Sequence, residues 1–332
     1  MKGNGHKDKP EHWAILVVPR LRIQNVNAIS SPMTWGFPSI TAFLGLMTSL
    51  ERRLGVQAGI SFRAIGVVCH NFEAQITTKG FTRAFHLTRN PLNKDGSTAG
   101  IAEEGRAHLD LSLVFSVQIS ESHLGEEERQ SMANQITHEL GGMRLAGGSI
   151  MPSRASAGYR RAKASLALEA QGEEAERQQM RELARSCLPG FALVSRSDLL
   201  SGRLAELREL DPQMTALDAW LDLSCLTYRA TQADQGEVVW QTDARNGWIV
   251  PIPVGYTSIS QLYPPGVVQA ARDNVTPFRF VETIWSIGEW ISPHRLKNLD
   301  DLFWYARTEN EVHQTYRCLN DYTPEVADYP AS

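Results

Sequence analysis

No run of about 18 apolar residues occurs in the chain, so no stretch reads as a helix able to cross a bilayer. The amino-terminal segment MKGNGHKDKPEHW is polar and lacks the apolar centre of a secretory signal. Cysteine is scarce. Cys69, Cys187, Cys225 and Cys318 are far apart among 332 residues and form no CxxC pair. That spacing leaves a zinc site unsupported and fits reduced thiols in a cytoplasmic protein. HExxH, a clustered Asp/Glu set and a Walker loop are all missing, so neither metal nor cofactor is expected. A basic overall charge is missing too: the net charge of −4 argues against a generic nucleic-acid binder. The charge is uneven, however. Residues 1–115 hold 13 Lys and Arg against 8 Asp and Glu, while residues 116–332 hold 20 against 29. A basic front half joined to an acidic back half suits a subunit that meets a polyanion locally and protein elsewhere; chance asymmetry is the competing account.

What is present is organised around residues 15–54. Ile15, Leu16, Val17 and Val18 form a short apolar run that reads as a buried strand. A polar loop over residues 20–34 follows, with Arg20, Arg22, Gln24, Asn25, Asn27, Ser30 and Ser31 and no acidic residue. Ser39 can then cap a helix in which Ile40, Phe43, Leu44, Met47, Leu50 and Leu54 share a face and which Gly55 can end. Further on, residues 60–69 read as a strand, and Phe81, Phe85 and Leu87 alternate with polar residues as a second. The clearest signal is the apolar spacing of two at Ala107, Leu109, Leu111, Leu113, Phe115, Val117 and Ile119, a strand with one face buried. Glu126, Glu127 and Glu128 open a helix with the stripe Met132, Ile136 and Leu140, ended by Gly141 and Gly142. Residues 143–151 return as a strand. This order predicts an α+β, ferredoxin-like (RRM-like) βαββαβ domain over residues 1–152, with a β-hairpin inserted near 72–100.

Residues 153–332 read as a mixed helical and irregular region packed on that domain. A solvated helix is expected within 153–187, a short strand at 191–194, and helices at 197–210 and 213–224. Residues 227–238 read as a loop, and Trp240 with Trp248–Ile252 as strands paired about Asn246-Gly247. Prolines and glycines make 253–277 irregular, and 301–306 reads as a last helix. Trp285, Ile287, Trp290 and Leu302 are candidates for an exposed apolar patch awaiting a partner.

The segment PRLRIQNVNAISSPMTWGFPS resembles the small RAMP-type backbone subunit of the type I-F CRISPR surveillance complex, the Csy complex. The resemblance returns, in one order, at GVVCHNFEAQ, LTRNPLNKDGSTA, EEGRAHL, GGMRLAGGSI, LPGFALVSR, WIVPIPVGY and GEWISPHR. It implies a non-catalytic, cytoplasmic subunit that binds the 5′ handle of the crRNA. Its implied partners are the large subunit and the repeated backbone subunit, with target DNA near the PAM a further option and no membrane.

Against that background the residues divide into groups. Arg20, Arg22, Gln24, Asn25, Asn27, Ser30 and Ser31 are expected to meet RNA, Arg through charge and the amides and hydroxyls through neutral hydrogen bonds. Trp35 and Phe37 can stack on bases or pack in the core. Arg83, Thr88, Arg89, Asn90 and Lys94 sit on the inserted hairpin, to lie along RNA, reach a neighbouring subunit or simply face solvent. Arg144 with Gly147, Gly148 and Ser149 resembles the glycine-rich loop of RAMP proteins, where bare backbone can approach phosphate. Some RAMP relatives cleave RNA with a histidine. His70, His86 and His108 lie on or near strands, but no pair has a catalytic spacing, and none lies in the 20–34 loop. No catalytic residue is therefore assigned. The runner-up is a guide-processing RAMP endoribonuclease using His70 or His108.

Overall fold

The computed structural model describes residues 11–80, 82–89, 92–93, 95–151, 163–226, 228–232, 237–242, 247–309 and 314–324. Phe81, Asn90 and Lys94, the turn residue Asn246 and most of the first third of the 153–187 segment lie outside them. The protein is mixed α+β, with extensive antiparallel pairing and five α-helices among the described residues. Its contacts divide the chain into two units, Met1–Ala192 with Ser292–Tyr305, and Leu193–Ile291 with Ala306–Ser332. No helix is long and apolar enough to cross a membrane among the described residues.

The first unit is built on β1, His12–Asn27. Here the expected division into a short strand and a donor-rich loop is corrected: the strand runs on through Arg20, Arg22, Gln24 and Asn25. Continuous pairing with the long partner β3 (Arg106–Ile119) sustains it, at the cost of two register shifts, between Val18 and Leu21 and between Ile23 and Val26. At these bulges Arg20 and Asn25 adopt positive φ, 54° and 58°. Helix α1 (Ile40–Leu54) forms as the pattern predicts. Ser39 Oγ accepts the Thr41 N–H, the Ile40, Phe43, Leu44, Met47 and Leu50 face is buried, and Gly55 at φ 74° ends it. Then come β2 (Ile60–Ala74), β3, and α2 (Glu126–Gly141), whose Met132, Ile136 and Leu140 are buried. A hairpin of β4 (Arg144–Leu145) and β5 (Gly148–Met151) follows, and β6 (Ser165–Leu168) continues the edge. The order is β4-β5-β1-β3-β2, with β6 beside β5 along the same edge of β1, every neighbouring pair antiparallel. Helices α1 and α2 pack on one face.

The alternation in β3 implied one buried face, but Leu111 to Val117 are buried without a break, Ser112 and Ser116 included. The second face is covered there. Helix α3 (Glu173–Ser186) brings Leu183 and Ser186 over Ile15, Val17 and Pro19, together with Leu299. Gly66, the register partner of Val114, has no room for a methyl group because Leu302 lies against it. The cover stops short of Asp110. From there to Arg106 the same face is only half-buried, and that boundary positions the site described below.

The insertion between β2 and β3 is two short ladders rather than one hairpin. Ile76–Lys79 pairs with Thr82–Phe85, and Leu87–Arg89 with Ile101–Glu103.

In the second unit, α4 (Ser197–Leu210) and α5 (Ala216–Ser224) match the expected helices. Thr215 and Asp218 form a reciprocal capping box at α5. The region read as a loop is a strand, Tyr228–Gln232, paired with Val238–Thr242. Trp240 therefore opposes Ala230, and Trp248 opposes Trp290 across the ladder between Trp248–Ser258 and Val281–Ile291. The expected Trp240–Trp248 hairpin does not form, because each segment finds a longer partner elsewhere. Pro251 and Pro253 do not interrupt their strand: two residues apart, both direct their missing donor to one edge, where pairing with Thr315–Asn320 covers only Gly255–Thr257. The buried centre holds a charged cluster. Arg196 donates to Asp198 at 2.9 Å and to Glu289, which is 1% exposed. The Trp220 indole N–H donates to Ser286 O at 3.0 Å. Of the expected exposed patch, Ile287 is buried here and Trp285 and Trp290 are half-buried beside Trp220 and Trp248. Leu302 is buried in the first unit, where Asp300–Leu302 forms a single 3-10 turn rather than a helix, and fully buried Trp304 pairs with Ile65.

Candidate nucleic-acid interface

Where α3 no longer covers the first unit's sheet, β1, β3 and the β4–β5 hairpin present polar side chains on one face. Arg144, Ser149 and Gln24 lie in register across three strands, and Arg22 opposes Asp110 on the next row. Arg22 Nε is 3.5 Å from Asp110 Oδ1, both side chains well exposed, an ion pair worth no more than about 1 kcal/mol and easily exchanged for another anion.

The two bulges share one construction. At the first, Pro19 and Arg20 together oppose Ser112, and the Arg20 N–H donates to Ser112 Oγ at 3.1 Å. At the second, Gln24 and Asn25 together oppose His108, and the Asn25 N–H donates to His108 Nδ1 at 3.1 Å. In each case a backbone donor pushed out of the ladder is satisfied by the side chain of the single residue opposite. Beyond that they differ. Ser112 Oγ lies 2.7 Å from His70 Nε2, and His70 Nδ1 lies 2.6 Å from the carbonyl of Pro189. A carbonyl only accepts, so Nδ1 carries the proton, and Nε2 accepts from the serine hydroxyl. Burial, above all, holds the His70 pKa below its usual value, and the Arg20 charge acts in the same direction; the Pro189 bond and Asp110 oppose them. Arg20 itself donates to Leu188 O at 3.0 Å. Beside this network, burial pushes the Cys69 thiol up to about 12, which keeps it protonated.

The glycine turn falls at the same open end. Ala146 and Gly147, φ 47° and 77°, form the two-residue turn of the β4–β5 hairpin. Asn27 N–H donates to Ala146 O at 2.8 Å, and Arg144 Nη1 to Gly147 O at 3.3 Å. Gly148 has a different requirement: a Cβ there would lie 2.7 Å from Gln24 O and 2.8 Å from Val26 N. Arg106, which the sequence reading did not single out, reaches the turn from β3. It donates to Asn25 O at 3.4 Å and is paired with Glu104 at 2.6 Å.

The structure thus brings together Arg22, Gln24, Asn25, Asn27, Arg144, Gly147, Gly148 and Ser149, while Arg20 lies at the covered bulge with its side chain on Leu188 O. Ser30, Ser31 and Trp35 belong to a separate small hairpin, Ile29–Ser31 with Thr34–Trp35. There both serine hydroxyls meet Thr34 Oγ1, at 2.8 and 2.6 Å, and Ser31 is buried. Trp35 is 54% exposed with its ring edge-on to Phe85 at 5.9 Å, and Phe37 stacks on Phe43 at 5.5 Å. Arg83 is exposed on the insertion, in register with Thr78. Arg89 lies in a strand of the insertion, its side chain outside the described residues. Arg106 was missed, and His108 was weighed only as a catalytic histidine and not as a neighbour of the polar face. Their signal was the polar half of an alternation read only for its apolar half: Arg106, His108, Asp110 and Ser112 share one face of β3. No group of three or more His, Cys, Asp or Glu is placed to hold a metal among the described residues.

The sequence pattern of the family described as CRISPR-associated protein (Cas_Csy2) matches residues 16–318. The chain belongs to the Csy2 family. It is 48% identical over 304 residues, covering 89% of this chain and 92% of the relative, to "CRISPR-associated protein Csy2" of Pseudomonas aeruginosa (strain UCBPP-PA14). The Csy2 match takes in the whole open face from Arg22 to Ser149 and most of the second unit.

Proposed function

We propose that this Csy2-family chain is a non-catalytic subunit of the type I-F CRISPR RNA-guided surveillance complex. In this reading it grips the 5′ handle of the crRNA and pairs with the large subunit during DNA target recognition. The repeated backbone subunit is a further partner. The observation that carries the reading is the open end of the β1–β3 sheet. Arg22, Arg106 and Arg144 supply charge there, Gln24, Asn25 and Ser149 supply neutral donors, and the bare backbone of Gly147 lies between them. The strand order β5-β1-β3-β2, with α1 joining β1 to β2 and α2 joining β3 to β5, supports the ferredoxin-like RAMP reading of this unit.

The endoribonuclease alternative needs a histidine free to move a proton at the RNA. Both His70 nitrogens are occupied, by Ser112 and Pro189, which favours the non-catalytic reading. His108 has one nitrogen held by Asn25.

A salt titration of handle-RNA binding tests the proposal. Replacing Arg22 and Arg144 with Ala removes about two ionic contacts, so the log–log slope falls by about 1.4 at roughly 0.7 per phosphate of a single strand. Repeat RNA recovered from the same incubations remains intact, with or without divalent metal. An unchanged slope, or cleavage abolished by His70→Ala or His108→Ala, overturns the reading.

A further inference from the structure

We infer that His108 is a specificity-determining residue of the RNA site, a hydrogen-bond donor of fixed tautomer that reads an acceptor on the edge of one handle base. The inference rests on the handle-binding reading above and goes beyond it, by naming what distinguishes one sequence from another.

The geometry comes from the second bulge. A backbone N–H can only donate, so the 3.1 Å contact from Asn25 makes His108 Nδ1 the acceptor. The proton of a neutral imidazole then belongs to Nε2. Asn25 is suited to the task, because an Asn adopts the φ of 58° that turns its N–H out of the ladder far more readily than most residues. The first bulge shows what such an arrangement does when it is covered. There the chain of donors runs from Arg20 through Ser112 to His70 and ends on the Pro189 carbonyl. At the second bulge the chain runs from Asn25 to His108 and has no further protein partner among the described residues. Its outward donor lies on the uncovered part of the face, between Gln24 on β1 and Glu73 on β2.

Charge distinguishes base from phosphate. The guanidiniums of Arg144 and Arg106 converge on the Gly147 turn, the position that favours a phosphate. His108 is displaced toward carboxylates, with Asp110 two residues along its own strand and Glu73 opposite on β2. An anion is disfavoured there, and a neutral carbonyl or ring nitrogen of a base is not.

The test is a panel of single-stranded handle RNAs, each base replaced in turn, titrated against the full-length chain and its variants. His108→Asn keeps an oxygen near the position of Nδ1 to accept the Asn25 N–H, but has nothing at the position of Nε2. It is expected to bind the cognate handle about 3- to 10-fold more weakly, to lose discrimination at a single position, and to keep the wild-type salt slope. His108→Gln carries an amide donor near Nε2 and is expected to recover part of that discrimination. A purely structural histidine predicts the reverse ranking. Equal weakening across all handles, or no change in His108→Asn, overturns the inference while leaving handle binding intact. A wild-type chain that binds none of the RNAs overturns both.

Discussion

The two bulges of β1 are five residues apart and built alike, yet one is sealed and the other open. Around Arg20 the second face of the sheet lies under α3 and the segment carrying Leu299 and Leu302, and each exposed donor is passed inward until it reaches a carbonyl. Around Asn25 the face is only half-buried among the described residues, and the corresponding side chain, His108, has no further hydrogen-bond partner among them. The same local device therefore serves stability at one end of a strand and is available for recognition at the other. The cover decides which, because a buried polar group must find a partner within the protein whereas an exposed one can wait for a ligand.

The comparison breaks most visibly in the covered end. Leu302, 1% exposed, lies there against Gly66. Leu302→Ala is expected to cost about 2–5 kcal/mol of stability, measured by urea unfolding, with RNA affinity of the remaining folded protein unchanged. Equal losses from a truncation at the open end, such as Gln24→Ala, would erase the distinction.

Ser112→Ala acts at the boundary. It strands the Arg20 N–H and deprives His70 Nε2 of its donor, so it is expected to cost about 1–3 kcal/mol. His108→Ala, which strands the Asn25 N–H at the matching position of the open bulge, is expected to cost less, since water reaches the group it leaves. Denaturation midpoints of the two variants side by side sharpen or cancel the comparison.

The smallest effect is on pH. His70 is held neutral in the folded state, with a pKa below the ordinary 6.5. Its contribution is therefore fully present above pH 6.5 and is lost as pH falls from there through the lowered folded value, where the unfolded chain binds the extra proton more readily. Wild type should lose more stability between pH 7.5 and 5 than His70→Gln, which has no proton to take up. Parallel curves would show that the Ser112–His70–Pro189 chain does not favour the neutral imidazole.

Local order in the sequence was enough for some elements. Ser39, the 3.6-residue stripe from Ile40 to Leu50 and Gly55 specify α1 by themselves, because capping, periodicity and a left-handed terminator all act within a few residues. The spacing of two in β3 likewise declared a strand and one buried face. The candidate site was legible as residue types alone: Arg22, Gln24, Asn25, Asn27 and the glycines at 147 and 148 lie at the open end, whereas Arg20 falls at the covered bulge. Arg106 and His108 were visible too, as the polar half of the β3 alternation.

Tertiary structure alone decided the rest. Whether residues 20–27 form a loop or a bulged strand depends on β3, some 80 residues away, offering enough ladder to offset positive φ at Arg20 and Asn25. Trp240 and Trp248 were equally able to pair with each other, and longer partners at 228–232 and 281–291 prevailed. Leu302 became core because Gly66 leaves it a place to sit. Residue identity sets which groups can be buried or exposed; only the packing of distant segments determines which half of one sheet face is sealed, and so which of two like bulges is left to meet a ligand.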